Sequence, residues 1–359
     1  MPTLIENIRR TVPKGKLIVE NSLVKTQGLE DKLADLLKNN ITSIVLDGYG
    51  SSKTAALEAT TFIEKVAGIP VNMLTPNNKV RQIACDPHCL YVFISESGNS
   101  SLLEKDLGLV KDKASTLLVT ANVNSKLAGL VDCVVDTGCA DEDYFFHTVG
   151  HCCSALTLMM IGMRIGLIKN HISKAQYDEY CNDALAALNN HENCLQAALD
   201  WCKVYVPKIS DARCLVFFGS GPLYGVAEEG AIKVQEITEK NITRSYEVYQ
   251  RIYGSSSCFG KDDAVIVLDD DVNETITAKG IVAYMRSKFN NAYLIGPNTL
   301  ADCDLKINTV GKDFRIFEYV VIMEIIAQEL AIYQNHPILD KTVYHPDFFD
   351  DFMKEWNKQ

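Results

Sequence analysis

Ile44-Val45-Leu46-Asp47-Gly48-Tyr49-Gly50-Ser51-Ser52 is the stretch on which the fold turns. A short apolar run ends in a glycine-rich turn, and a helical pattern follows through Ala55, Glu58, Phe62 and Val66. The same arrangement recurs at Leu215-Val216-Phe217-Phe218-Gly219-Ser220-Gly221, followed by Ala227, Ala231, Val234 and Ile237. The second glycines are separated by 221 − 50 = 171 residues, and Glu58 and Glu229 keep that offset, 229 − 58 = 171. Two further pairs of apolar runs follow in the same order. Tyr91-Val92-Phe93-Ile94 matches Val265-Ile266-Val267-Leu268, and Thr116-Leu117-Leu118-Val119-Thr120 matches Ala292-Tyr293-Leu294-Ile295-Gly296. Strands alternating with helical patterns predict βαβ units and a parallel sheet. The chain therefore reads as a duplicated α/β domain, each copy a doubly wound parallel sheet flanked by helices. The expected division is a helical segment over residues 1–40, a first domain over 41–170, a helical connector over 171–209, a second domain over 210–335 and a polar, aromatic tail over 336–359. In such sheets ligands bind beyond the carboxyl ends of the strands, where strand order reverses. Both glycine turns and the loop after Ile94 belong at that edge.

The bulk numbers narrow the function. The 359 residues are 47% hydrophobic and 23% charged, with a net charge of −11 and no long basic run. Duplex binding requires clustered Lys and Arg, so nucleic acid is not the expected partner. A local pocket still holds a small anion whatever the global charge. The twelve cysteines are scattered, and Met1-Pro2-Thr3-Leu4-Ile5-Glu6-Asn7 lacks a basic-then-apolar leader pattern, so a reducing cytoplasm is expected. The least polar stretch, Val149 to Ile168, contains His151 and Arg164 and reads as a buried helix, not a membrane span.

The loop Ser95-Glu96-Ser97-Gly98-Asn99-Ser100 gathers three hydroxyls and a glycine at a strand end. Hydroxyls and exposed N–H groups at a helix N-terminus form a phosphate site, and Gly98 permits close backbone approach. A serine turn that merely caps the next helix is the plain alternative. The duplication supplies a control: the matching loop carries Asp269, Asp270 and Asp271. Three successive carboxylates repel a phosphate dianion, so at most one half binds phosphate through this loop.

These residues carry a resemblance. Gly48, Gly50 and Ser52, then Ser95, Ser97, Gly98 and Ser100, are similar to the motifs of a sugar isomerase (SIS) domain. Two such domains in tandem resemble the isomerase half of glucosamine-6-phosphate synthase and the fructosamine-6-phosphate deglycases. The spacing from Ser52 to Ala67-Gly68-Ile69-Pro70 fits that family without a gap. Glu229-Gly230-Ala231-Ile232-Lys233-Val234-Gln235-Glu236 is similar to its Glu-Gly-Ala-Leu-Lys-Leu-Lys-Glu motif. The resemblance covers roughly residues 40 to 335. It implies that Gly50, Ser51, Ser52, Ser95, Ser97 and Ser100 hold the phosphate and hydroxyls of a sugar ester.

Glu229, Lys233 and Glu236 fall at i, i+4 and i+7 and share one helix face. Alone they read as an exposed, salt-bridged face. The resemblance instead implies that Glu236 shuttles a proton at C1/C2 of the sugar, a task suited to a carboxylate whose pKa is raised by partial burial. Lys233 then either holds Glu236 ionised or polarises a sugar oxygen. The family usually has a ring-opening histidine before a glycine about sixteen residues further on, often supplied by a partner subunit. Here Arg251-Ile252-Tyr253-Gly254 stands in that place. Tyr253 acts as a proton donor, or His147, His336 or His345 opens the ring, or the step is not needed, or the protein is weak or inactive.

The family most often has glutamine where Glu96 stands. A carboxylate aimed at phosphate costs about 1–4 kcal/mol at about 4 Å. Glu96 is therefore expected to point away or to pair with a cation while its backbone N–H serves the ligand; the alternative is contact with an amino group of the substrate. The loop with Glu142, His147 and Thr148 approaches the sugar in the family, although an acidic solvated loop reads equally well. No metal set is expected. Cys85-Asp86-Pro87-His88-Cys89 lacks a second ligand pair, and His147 and His151 lack the glutamate of a zinc-protease helix. Neither half carries a full dinucleotide fingerprint.

The expected function is a phosphosugar enzyme needing no cofactor or metal, foremost a deglycase that splits a 6-phosphorylated fructosamine. An aldose–ketose isomerase or an amino-sugar-phosphate deaminase is the second reading, and a non-catalytic phosphosugar sensor the third. The resemblance implies a homodimer or larger homo-oligomer, with the Val149–Ile168 helix helping to bury the interface. No glutaminase domain is read in the sequence, so glutamine-dependent synthesis is not expected.

Overall fold

The computed structural model describes residues 3–24, 27–74, 85–142, 144, 146–251 and 257–337. Three helices, α1 (Leu4–Arg9), α2 (Thr11–Val24) and α3 (Gln27–Leu37), precede the first sheet. That sheet contains β1 (Ser43–Asp47), β2 (Val71–Met73), β3 (Cys89–Ile94), β4 (Ser115–Thr120) and β5 (Cys133–Asp136). Helix α4 (Ser51–Ala67) follows β1, α5 (Ser101–Val110) follows β3, and α6 (Val149–Ile168) follows β5. The long α7 (Lys174–Ile209) leads to the second sheet, made of β6 (Leu215–Gly219), β7 (Thr243–Glu247), β8 (Ala264–Leu268), β9 (Ala292–Gly296) and β10 (Leu305–Lys306). Helix α8 (Pro222–Thr238) follows β6. The short α9 (Val248–Arg251) follows β7, α10 (Thr275–Phe289) follows β8, and α11 (Ile316–Tyr333) closes the described fold.

The strand orders are β2-β1-β3-β4-β5 and β7-β6-β8-β9-β10, and all pairings are parallel. The two sheets thus have one topology used twice, as the repeat offset anticipates. Strands β3, β4, β6, β8 and β9 are buried along their whole length. That burial is why they read as unbroken apolar runs: helices cover both faces of a parallel sheet. Order reverses between β1 and β3, and again between β6 and β8. The turns after β1 and β6 therefore open on the two switch points.

The repeat extends to backbone angles. Gly50 has φ 55° and ψ −132°, and Gly221 has φ 53° and ψ −129°. This region is open essentially to glycine alone, so both turns need that residue to feed the strand into the following helix.

Four helices meet between the sheets: α4 packs on α6 and α8, and α8 packs on α11. Helix α6 is long and apolar enough to cross a membrane by composition, yet 89% of that stretch is buried inside the chain. Every residue from Val149 to Gly166 is buried against α4, α2 and their neighbours. The expectation that this helix lends a face to a second copy is therefore corrected, because the chain's own helices already cover it.

Candidate active site

The turn after β1 places Ser51 and Ser52 in the first turn of α4, both partly buried. Across the switch point the serine loop folds on its own hydroxyls. Ser95 Oγ accepts from the Gly98 N–H (3.1 Å), Ser97 Oγ from the Asn99 N–H (3.3 Å), and Ser100 Oγ caps α5 by accepting from the Leu103 N–H (3.3 Å). The capping role read for a plain serine turn is thus real. In the second half the carboxylates take over this work. Asp270 Oδ1 accepts from the N–H groups of Val272 (3.0 Å) and Asn273 (2.8 Å), and Asp269 Oδ1 accepts from Asp271 N–H (3.0 Å) and Thr275 Oγ1 (2.9 Å). That cradle already contains its own anions, partnered by Lys279 and Arg315. These carboxylates and their bonds oppose an incoming phosphate there, whereas the serine loop of the first half carries no carboxylate but Glu96.

Helix α8 brings the second domain to this edge. Lys233 is buried, and its Nζ reaches Ser51 Oγ at 3.0 Å, Glu236 Oε2 at 2.7 Å and Glu229 Oε1 at 3.2 Å. Ser51 Oγ and Glu236 Oε2 accept hydrogen bonds from this ammonium, while Glu229 Oε1 faces it as an ion pair without one. Burial by itself would lower the Lys233 pKa, but the Glu229 and Glu236 carboxylates reverse this and hold the amine charged. Glu229 receives Thr54 Oγ1 at 2.5 Å. Its pKa is lowered despite burial, because His151 and Lys233 stabilise the anion. Glu236 keeps 36% of its side chain exposed, so it reaches solvent while its partner Lys233 does not. The solvated salt-bridge reading of this helix face is overturned: Glu229 and Lys233 are each 1% exposed.

Beneath this lies a layer of titratable groups that sequence reasoning missed. His151 on α6 is buried, with Nε2 3.1 Å from Glu58 Oε1, Nδ1 3.1 Å from the Ser51 carbonyl oxygen, and Nδ1 3.7 Å from Glu229 Oε1. Burial would discharge the imidazole, but the Glu229 and Glu58 carboxylates raise its pKa to about 10. Burial raises Glu58, with His151 opposing, and lifts Glu324 on α11 to about 8. Glu58 and Glu229 stand on equivalent turns of α4 and α8. A usable signal was present: a carboxylate at an otherwise apolar helix position, kept in both copies of the repeat.

The loop before α6 closes one side. Glu142 accepts at Oε1 from Asn7 Nδ2 (2.8 Å), Thr148 N–H (2.8 Å), Thr148 Oγ1 (3.0 Å) and Val149 N–H (3.0 Å), and at Oε2 from Gly150 N–H (2.7 Å). It satisfies the orphan donors at the start of α6 and complements the helix dipole. The solvated-loop reading of Glu142 gives way, since 1% of its side chain is exposed. Thr148 is buried beneath it, and His147, with 38% of its side chain exposed, lies 3.4 Å from Glu142 Oε2 through Nδ1. Burial lowers the His147 pKa, but Glu142 more than reverses it.

Glu96 reaches the same place. Its carboxylate lies so close against Gly150 that a Cβ on that residue would come within 2.6 Å of Oε1, and both oxygens are buried without a hydrogen-bond partner among the described residues. Burial lifts its pKa to about 7. Glu96, Glu142 and His147 place one metal-competent atom each within 4.8 Å of one another, a trio that spacing in the sequence did not reveal. Glu142 contributes little to such a set, because five donors already engage its two oxygens, which offer about four lone pairs.

The structure thus joins Ser51, Lys233 and Glu236 directly and gathers Glu96, Glu142, His147 and Thr148 at the start of α6. His336 pairs instead with Glu239 at 3.4 Å, at the end of α8. Tyr253 and His345 lie outside the described residues.

No family model matches the chain. The fold of two tandem parallel-sheet domains resembles that of sugar isomerase proteins, and comparison with known proteins agrees. The chain is similar to isomerizing glutamine–fructose-6-phosphate aminotransferase 1 of Arabidopsis thaliana, 28% identical over 233 residues, which are 63% of this chain and 34% of that protein. It spans from a third to about half the length of the curated relatives it matches. Among solved structures it shares its fold with the C-terminal domain of glucosamine-fructose-6-phosphate aminotransferase from Francisella tularensis (TM-score 0.82, 17% identity, 92% of this chain and 95% of that one). It also shares it with glucosamine-6-phosphate deaminase from Thermotoga maritima (TM-score 0.71, 17% identity, 92% and 94%). The tandem sugar isomerase resemblance read from the motifs is borne out.

Proposed function

We propose that the chain is a phosphosugar-processing enzyme, foremost a deglycase converting a 6-phosphorylated fructosamine and water to a hexose 6-phosphate and a free amine. The observation that carries this reading is the Lys233 bridge: one buried ammonium ties Ser51 of the anion-binding turn to Glu236 of the second domain. In this reading the bridge holds a partly exposed carboxylate next to the turn that takes the ester, as proton transfer on a bound sugar ester requires.

In this reading the serine loop and Ser52 hold the ester, and Glu236 takes a proton from C1 of the opened ketoamine. Returning that proton at C2 gives an aldimine; water then adds at C1 and the amine leaves. Lys233 is buried between Ser51 and the carboxylates of Glu229 and Glu236, which favours its holding Glu236 ionised over its polarising a sugar oxygen. The adjacent carbonyl acidifies the C–H bond, so the chemistry asks for no organic cofactor or metal. The same site suits an aldose–ketose isomerase or an amino-sugar-phosphate deaminase; the carboxylates near the start of α6 favour an amine-bearing substrate. The reading also takes the protein as a cytoplasmic homo-oligomer.

The test is to incubate the protein with fructose 6-phosphate, glucosamine 6-phosphate and several 6-phosphofructosamines and to follow hexose-phosphate products. Glu236→Gln is expected to lower turnover by about 10²–10⁴-fold while ligand-induced thermal stabilisation persists. Stabilisation by one ester without turnover of any would replace the enzyme reading with that of a sensor.

A further inference from the structure

We propose that the Glu96 carboxylate is the specificity determinant for a cationic amine on the sugar ester, which it receives beside Gly150 at the start of α6. This rests on the phosphosugar reading above and names the class of substrate that site takes.

The argument is one of unmatched donors. Both Glu96 oxygens are buried and accept no hydrogen bond among the described residues. A buried carboxylate without donors is costly unless something arrives to pair with it. The backbone and amide donors nearby are already committed, which leaves the His147 imidazole, whose Nδ1 has no hydrogen-bond partner among the described residues. The N–H groups of Thr148, Val149 and Gly150, with Asn7 and the Thr148 hydroxyl, all go to Glu142. The backbone of Glu96 is fixed, since its carbonyl accepts from the Ala121 N–H (3.1 Å) and Thr120 Oγ1 (3.2 Å).

The charge balance points the same way. The groups acting on Glu96 are His147, Glu142, Asp136 and His151. His151 is already matched by Glu58 and Glu229, so the His147 imidazole is what remains to face three carboxylates, Glu96, Glu142 and Asp136. Glu142 stays ionised, with its pKa lowered to about 2. The spot is thus short of positive charge and of N–H donors. A compact ammonium or alkylammonium supplies both, through charge-assisted hydrogen bonds. A divalent metal is the weaker occupant, because saturation of Glu142 leaves Glu96 and His147 as the free ligands, too few for a held ion.

The site borders the loop read as the seat of the ester. Glu96 sits within the serine loop, while Gly150 is one residue from His151, which touches the Ser51 carbonyl.

The experiment compares two ligands that differ by one amine: fructose 6-phosphate and the 6-phosphate of fructosyl-methylamine. Affinities are measured calorimetrically at pH 7, with and without a chelator, for the native protein and Glu96→Gln. The native protein is expected to prefer the amine by about ten- to a hundredfold. Glu96→Gln is expected to abolish the preference by weakening the amine ligand, with fructose 6-phosphate bound as well or better. Equal affinity of the native protein for the two esters, survival of the preference in the variant, or its loss on chelation each overturns the proposal. A native protein that binds neither ester refutes the phosphosugar reading itself, which separates the two failures. Should the variant not fold, the native comparison alone still decides.

Discussion

Replacing Glu142 by glutamine keeps the shape of the side chain and removes its charge from the start of α6. Glu142 is buried, and burial acts to raise its pKa, but His147 and the N–H groups of Gly150 and Thr148 win and bring it from the ordinary 4.5 to about 2. At about 1.4 kcal/mol per tenfold change in proton affinity, that gap stabilises the folded chain by about 3 kcal/mol at neutral pH. With 1% of its side chain exposed, solvent screening takes little of this away. A chain of 359 residues has an unfolding entropy of about 0.75 kcal/mol/K, so a single cooperative transition should fall by about 4–5 °C. The folded-state pKa lies below the unfolded one. The stabilisation is therefore complete above pH 4.5 and is lost as pH falls through about 2. Thermal melts of both proteins from pH 7 to pH 2.5 should show the native curve descending toward that of Glu142→Gln as acid is added. A gap under about 1 °C at pH 7, or one that stays constant down the series, would refute the account of Glu142 as the ionised cap of α6.

Two further outcomes follow from the same geometry. Gly98→Ala imposes a side chain at φ 63° and sets its Cβ 2.0 Å from Ser125 Oγ. The left-handed conformation alone costs about 1–2 kcal/mol, so both melting temperature and sugar-ester affinity should fall; an unchanged pair of values would remove the serine loop from the binding site. His151→Gln should flatten the alkaline limb of the stability curve. The folded pKa of His151 is raised from 6.5 to about 10 by Glu229 and Glu58 in spite of burial, so its contribution is whole below pH 6.5 and lost as pH climbs through about 10. Melts between those limits with the same slope in native and variant proteins would contradict a charged His151.

The parts legible in the sequence were those written in short-range pattern. The duplication appeared as a fixed offset, the parallel sheets as unbroken apolar runs, and the anion loop as hydroxyls placed after a strand. Helix α8 showed its Glu229, Lys233 and Glu236 on one face because helical periodicity is a local property. Whether that face met water or protein was not local. Alone, its spacing suited a solvated row of charges, yet packing of α4 on α8 buries Lys233 and brings it to Ser51, 182 residues away.

What the chain dictated by itself was the identity and order of its elements, since these depend on backbone preferences and on periods of two and about 3.6 residues. Tertiary structure alone decided which charges were buried and with whom. The Glu58–His151–Glu229 layer, the capture of five donors by Glu142 and the donorless carboxylate of Glu96 arise where helices from two sheets and a loop converge. The free energy of a charge depends on the dielectric and the donors around it, and neither is set by its neighbours along the chain.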